Sequence, residues 1–288
     1  NMKKSNNLVT VVYYDKAKKY LNSYLECINN QSTNNFDLLL VNDNSKLSIS
    51  NKYNFNIIKK NVKKKVSYAF NRNLIIKYAL NKNYKKIIFT DIDDLYSKNR
   101  IYNSIKFLES YDIVFNNILV NNKNKMIKKN FNKKNYLLKK LLEKNFLGFT
   151  NTSLKVKLLN NIIIPSNILA IDWYLFSNVL IKNNNFYFDK KSESFYNSYD
   201  GNIGVLKEKL SSKDIENTLN IKINHYKNML QKCQLVSNKK YEKKYHELYD
   251  AYKNLKKITK STNKLLKYQT LINNKKNINT WWEKVSLI

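Results

Sequence analysis

Short apolar runs alternate with amphipathic stretches from residue 8 onward, and the alternation stops near Val205. Leu8–Tyr14 (LVTVVYY), Phe36–Val41 (FDLLLV) and the run ending at Phe89 read as buried strands, because an unbroken β-branched run leaves no polar face for water. Asn56–Lys59 is a weaker strand candidate, Ile113–Leu119 a further strand and Asn185–Asp189 a last short one. Between them the period changes to that of a helix. Over Ala17–Asn29, Tyr20, Leu21, Tyr24, Leu25 and Ile28 share one face. Further helices are expected over Tyr68–Leu80, Ile101–Ser110, about Asn135–Lys144 and, after the lone Pro165, Ile168–Ile181. Strand and helix in alternation predict an α/β fold, a mainly parallel sheet with helices on both faces.

Beyond Val205 the chain carries Lys, Tyr, Leu and Glu at helical spacing and no strand candidate. The expected division is therefore an α/β domain over residues 1–204 and a helical C-terminal region over 205–288. Tyr241, Tyr245, Leu248, Tyr249 and Tyr252 lie three and four apart and read as a packing stripe. Asn121–Lys134 reads as a polar turn or loop. Asn1, ahead of Met2, is left out of the fold reading.

One stretch breaks the pattern. The run Lys86–Thr90 ends in Asp91, Asp93 and Asp94, three carboxylates within four residues. In open α/β sheets the carboxyl ends of strands present ligand-binding residues. In extended geometry Asp91 and Asp93 would point the same way, two hard oxygen donors suited to Mg²⁺ or Mn²⁺. Capping of the next helix is an alternative role for Asp94. A phosphatase-like nucleophile is an alternative for Asp91, although Leu95 stands where Thr or Val is usual.

Charge sharpens that contrast. The chain has 53 Lys and Arg against 21 Asp and Glu, a formal net charge of +32. In so basic a chain, three crowded acids raise one another's pKa unless a cation offsets them. The positive surplus is dispersed and comes with many Asn residues, the mark of an AT-rich coding sequence. Arg72 and Arg100 are the only arginines, so the bidentate contacts of nucleic-acid readers are scarce. Cys27 and Cys233 share no motif and suggest a reducing compartment without structural zinc. No apolar run reaches the length of a membrane span, and Leu8–Tyr14 is too short for a signal peptide.

Five pieces stand in a telling order: Val9–Tyr14, then Val41-Asn42-Asp43-Asn44-Ser45, Ala69-Phe70-Asn71-Arg72-Asn73, Asp91-Ile92-Asp93-Asp94 and Ile171-Asp172-Trp173. Together they resemble the GT-A glycosyltransferases of family 2, over about residues 8 to 204. The resemblance implies a GT-A (Rossmann-like) fold and an inverting transfer of a sugar, with a UDP-sugar as the expected donor. It implies that Asp43 binds the base and ribose of the donor, with Tyr13 and Tyr14 beside it and Arg72 lining the nucleotide site. Asp91, Asp93 and Asp94 match the Asp-x-Asp motif that holds ribose and the metal, Mn²⁺ or Mg²⁺, with the direct ligand left open among the three. Phe146–Ser153 resembles the segment beneath the donor sugar and acceptor, and Asp172 the catalytic base. Departures are visible. Ile171 replaces the usual Glu before the base, Ile75 a frequent Gly, and Asn197 and Tyr199 stand where many relatives have Arg and His.

By the same resemblance the partners are a nucleotide-sugar donor and a glycan or glycolipid acceptor, as in bacterial surface-glycan assembly, with no specific nucleic acid. A cytoplasmic place is expected. The basic, aromatic end Thr280–Lys284 adds an anionic membrane surface as a further partner, against packing of Trp281 and Trp282 on the core. Two readings from other classes stay open, a basic polyanion-binding protein on a degenerate fold and a phosphate-ester hydrolase.

Overall fold

The computed structural model describes residues 4–49, 53–64, 66–120, 124–125, 140–182, 185–197, 207, 209–275 and 280–287. By its internal contacts the chain divides into two units. One comprises residues 1–132, 147–166 and 183–198, the other 133–146, 167–182 and 199–288. The expected boundary at 204 follows chain order. The observed units interleave, because residues 167–182 group with the C-terminal helices.

The first unit is built on one mixed sheet. Its strands are β1 (Asn7–Tyr13), β2 (Asp37–Asp43), β3 (Asn56–Val62), β4 (Lys86–Phe89), β5 (Leu95–Tyr96), β6 (Ile113–Val120), β7 (Asn124–Lys125), β8 (Thr152–Lys155) and β9 (Phe186–Tyr196). The order is β3-β2-β1-β4-β8-β6-β9-β5, with β7 paired to β6 off that path. The half β3-β2-β1-β4 is parallel, and the register pairs Val9 with Leu38 and with Ile88. β8 is antiparallel to both its neighbours, β4 and β6. β9 runs parallel to β6 and then antiparallel to β5. Three helices belong to this unit, α1 (Leu21–Asn29), α2 (Tyr68–Asn81) and α3 (Arg100–Ser110).

The apolar stripe of α1 is the expected one. Leu21, Tyr24, Leu25 and Ile28 are buried against Val9, Val11, Leu38 and Leu40 on one sheet face. Burial of each such side chain is worth about 1.5–3 kcal/mol. A 3₁₀ turn, Asp15–Tyr20, replaces the predicted first helical turn. Ser67 starts α2 by accepting the Phe70 backbone N–H at 3.2 Å.

β9 is longer than its sequence suggested. Its first part ends at Asp189, whose carboxylate accepts the Lys191 N–H at 2.9 Å and the Ser192 hydroxyl. Those bonds stabilise a bulge at which the register against β6 jumps from Asn116↔Asp189 to Asn117↔Glu193. The strand then continues to Tyr196 and receives β5 on its outer edge.

The second unit is helical, with α4 (Ile171–Lys182), α5 (Ser212–Leu235), α6 (Lys239–Ile258) and α7 (Thr262–Asn273). Ser211 and Asp214 form a capping box at the start of α5. The core gathers around Trp173. Its indole stacks on His225 with ring centres 4.0 Å apart, meets Tyr226 edge-on at 5.6 Å, and donates Nε1–H to Leu141 O at 2.7 Å. Of the Tyr stripe on α6, Tyr245 and Tyr252 are buried, while Tyr241, Leu248 and Tyr249 are half-buried. Trp281 and Trp282 are 5% and 6% exposed. The pair is packed within this unit rather than presented to solvent. Among the described residues no helix is long and apolar enough to cross a membrane. The expected loop at 121–134 lies outside the described residues apart from β7, and so does the first part of the helix expected over 135–144.

Candidate active site

Because β1, β2 and β4 are parallel neighbours, their carboxyl ends reach one edge of the sheet. Tyr13, Asp43 and Asp91 stand at or just past those ends. Tyr13 is buried with the core, and its hydroxyl donates to Lys46 O at 3.3 Å. Tyr14 is half-buried and packs against the same core.

Asp43 closes β2 on a tight turn. Asn42 holds that turn at both ends: its Oδ1 accepts the Ser45 N–H at 3.1 Å and its Nδ2 donates to Ser45 O at 2.8 Å. Asn44 takes φ 50°, which an Asn tolerates better than most residues. Among the described residues the buried Asp43 Oδ1 has no hydrogen-bond partner, a condition rare in folded proteins and one that a ligand donor would relieve.

The acidic stretch is a turn, which corrects the extended geometry expected for it. Once β4 ends at Phe89, the Asp94 N–H bonds back to Asp91 O at 3.3 Å. The three carboxylates have different surroundings. Asp91 Oδ1 pairs with Arg72 Nη2 at 2.6 Å. Asp93 is half-buried on the turn. Asp94 is wholly buried and accepts the Asn197 N–H at 3.0 Å. Burial first, then the charges of Asp93 and Asp91, push its pKa well above the ordinary carboxylate range, with Thr150 and the Asn197 amide acting the other way. Asp94 therefore does not cap α3, which begins at Arg100 after Asn99 without a side-chain cap.

Arg72 is held between Asp91 and Phe149. It is 9% exposed, its guanidinium carbon lies 3.9 Å from the centre of the Phe149 ring, and Nη1 is buried without a partner. Phe149 sits on a turn held by Asn151, whose Oδ1 accepts the Gly148 N–H at 2.8 Å and whose Nδ2 donates to Asn116 O at 3.0 Å. On the other side of the helix face, Asn73 pairs reciprocally with the backbone of Ile164, both bonds at 2.9 Å. Among the described residues no three His, Cys, Asp or Glu side chains converge as a closed metal cage.

In the helical unit, Asp172 lies in the first turn of α4 and is half-buried. Its Oδ1 accepts the Trp173 N–H at 2.7 Å. His225 is fully buried, with burial and then Lys222 pulling its pKa down to about 3. It is a packing residue against Trp173, whereas His246 is exposed. Asp200 and Tyr199 lie outside the described residues.

A model of the glycosyl transferase family 2 matches residues 8–167, more than half of the chain. The chain belongs to glycosyl transferase family 2. The match takes in Tyr13, Tyr14, Asp43, Arg72 and the acidic turn, and ends short of Asp172. Solved structures share the architecture of this family 2 chain. S. aureus TarS, solved with UDP-GlcNAc, superposes with a TM-score of 0.56 at 16% identity over 76% of this chain and 66% of that one. A mannosyltransferase from Pyrobaculum calidifontis, PcManGT, solved with GDP-Man and Mn²⁺, gives 0.56 at 12% identity over 80% of this chain and 65% of that one. The chain thus spans just under two-thirds of the length of these structures, and the likeness shows a GT-A fold. No curated protein matches the chain.

Sequence reasoning passed over three residues at this site. Phe149 lay within a segment read only as a whole. Tyr96 carried no signal. Arg100 did, as one of two arginines among 53 basic residues.

Proposed function

We propose that this family 2 chain is an inverting glycosyltransferase that moves a sugar from a nucleoside diphosphate donor, a UDP-sugar in the first instance, to a hydroxyl of a glycan or glycolipid acceptor. The observation that carries the reading is the buried, unpartnered Asp43 Oδ1 on the same sheet edge as the Arg72–Asp91 pair. An acceptor-only oxygen there suits a base N–H or a ribose hydroxyl. The unpartnered Nη1 of Arg72 is a donor suited to a phosphate oxygen. The nucleotide-sugar ligands of TarS and PcManGT are of the same class.

The acidic turn fits a divalent cation by its chemistry. Three hard oxygen donors of like charge lie on four residues, and burial followed by the charges of Asp93 and Asp91 raises the pKa of Asp94. Asp91, Asp93 and Asp94 are the residues we assign to Mn²⁺ or Mg²⁺, ions that keep waters and substrate phosphates as ligands and need no closed protein cage. Bound there, such an ion would act as a Lewis acid for the departing diphosphate. Arg72 contributes fixed positive charge to the same leaving group.

Direct displacement also needs a base for the acceptor hydroxyl, and Asp172 is the residue assigned. The Trp173 amide donates to Asp172 Oδ1 at 2.7 Å and so helps to fix the orientation of the carboxylate at the start of its helix. Two variants test the assignments separately. Asp93→Asn should abolish Mn²⁺-dependent UDP binding in calorimetry while the fold persists. Asp172→Asn should leave UDP binding intact and lower turnover by ~10²- to 10⁴-fold, the usual effect of losing a general base. Wild-type turnover in Asp172→Asn, or unchanged metal dependence in Asp93→Asn, would remove the respective residue from the mechanism. The membrane surface is a weaker reading, since its motive, the Trp281-Trp282 pair, is buried.

A further inference from the structure

Of 53 basic side chains only two are arginines; one pairs with the acidic turn and the other bonds to the end of the strand that leads into it. Arg72 touches the Asp91 carboxylate directly. Arg100 approaches from beneath, at the start of α3, and is 0% exposed. Its Nη2–H donates to Phe89 O at 2.8 Å and its Nε–H to Asn116 Oδ1 at 3.2 Å. Its guanidinium carbon lies 4.6 Å from the centre of the Tyr96 ring. Phe89 is the last residue of β4, two before Asp91.

Tyr96 carries the contact onward. Its hydroxyl accepts the Asp91 N–H at 2.8 Å and donates to Asp91 O at 3.1 Å, so one phenol grips both backbone groups of one residue. The Tyr96 N–H is itself tied to Cys27 Sγ at 3.2 Å on α1. On its other side, Arg100 joins the turn under Arg72. Asn116 Nδ2 donates to Ser194 Oγ at 2.9 Å, and Ser194 Oγ–H donates to Thr150 O at 2.7 Å, next to Phe149. A closed circuit results, from Arg72 through Phe149, Thr150, Ser194, Asn116, Arg100 and Tyr96 to Asp91 and back.

Among the described residues no carboxylate bonds to Arg100, although burying a cation is costly and an apolar side chain would fill the place without that cost. Lysine, the cation this chain uses almost everywhere, would not serve. It has neither the planar fork that reaches Phe89 O and Asn116 at once nor the flat face that lies on Tyr96.

We propose that Arg100 is a positioning residue for donor binding. Through Tyr96 and the Phe89 carbonyl it holds the backbone of Asp91, and so sets where the Asp91 carboxylate meets Arg72 and where the acidic turn faces the diphosphate. The proposal rests on the donor-site reading above.

The test uses the full chain, with Tyr96→Phe, which keeps the ring and removes only the hydroxyl, and Arg100→Lys, which keeps the charge. UDP and GDP, each with Mn²⁺ in excess, are the calorimetric probes, and hydrogen exchange reports on the Asp91 amide. Both variants should bind the nucleotide ~10-fold more weakly, as loss of about one hydrogen bond implies, and Tyr96→Phe should expose the Asp91 amide to faster exchange. If Arg100→Lys does not fold, Tyr96→Phe decides alone. Folded variants with lower thermal midpoints but wild-type nucleotide affinity would make the network merely structural and overturn the proposal. Should the wild-type chain bind neither nucleotide, the donor-site reading fails first. Positioning of Asp91 is then judged by exchange alone, and unchanged protection in Tyr96→Phe refutes it.

Discussion

Replacing Lys222 with Met is expected to stabilise the protein at pH 6 and to change little at pH 10. Lys222 lies on α5 and is 1% exposed. Its ammonium donates to Tyr252 Oη at 3.1 Å, 4.8 Å from the centre of that ring and 5.9 Å from that of Trp173. Burial is the main cause that pulls its pKa from 10.5 to about 7; Glu283 and Glu143 raise it, Lys144 and Lys275 lower it. In the unfolded chain the proton is kept up to about 10.5, so between about 7 and 10.5 the unfolded state binds more protons. Stability contributed at this site therefore rises with pH through that window, and the penalty is fully present below it. Integrated from pH 6 to pH 10, the displacement amounts to ~4 kcal/mol. Methionine has similar length and no charge to desolvate. Urea unfolding of both proteins at pH 6, 8 and 10 is the assay. Every other group titrates in both chains, so the difference isolates position 222. Wild type should gain on the variant by about that amount as pH rises. A variant destabilised equally at all three values would refute the reasoning, since it would mean that the ammonium is no burden to the fold.

His225 offers a second pH test of opposite range. Its pKa falls from 6.5 to about 3 on folding, so the unfolded chain takes up the proton first and stability drops as pH falls through that window. His225→Phe retains a ring against Trp173 and should flatten the acid limb of a urea-midpoint profile relative to wild type; an unchanged profile would contradict the burial. Asp43→Ala should weaken UDP binding by ~10-fold or more, because a buried acceptor matched to a ligand donor is lost. Equal affinity in calorimetry would place the nucleotide elsewhere.

Much of the fold was legible because parallel strands buried on both faces must be apolar throughout. β1, β2, β4 and the stripe of α1 were readable on that ground, and so was the helical nature of α5 to α7. The shape of the site was less so. Asp91, Asp93 and Asp94 were recognisable as a group, yet an apolar run followed by acids does not say whether the chain stays extended or turns. The Asp94–Asp91 backbone bond makes it a turn, and burial under Asn197, 103 positions along the chain, separates Asp94 from its neighbours. The far half of β9 was hidden because Lys190 and Lys191 interrupt its pattern. The Asp189 carboxylate turns that interruption into a bulge. Trp281 and Trp282 looked equally suited to lipid and to a core, and only long-range packing within the helical unit decided between them.

The amino-acid sequence by itself determined the class of fold, the order of the strands' chemistry and the residue types available at the sheet edge, since these follow from periodicity and from the placement of a few acids in a basic chain. Tertiary structure alone decided which of those acids is buried, which is paired with Arg72, and that Arg100 reaches the same turn through Tyr96. The physical reason is that local signals reach only a few residues. Desolvation, aromatic stacking and hydrogen bonds between segments up to a hundred residues apart depend on how the sheet brings those segments together, and no stretch of sequence carries that information singly.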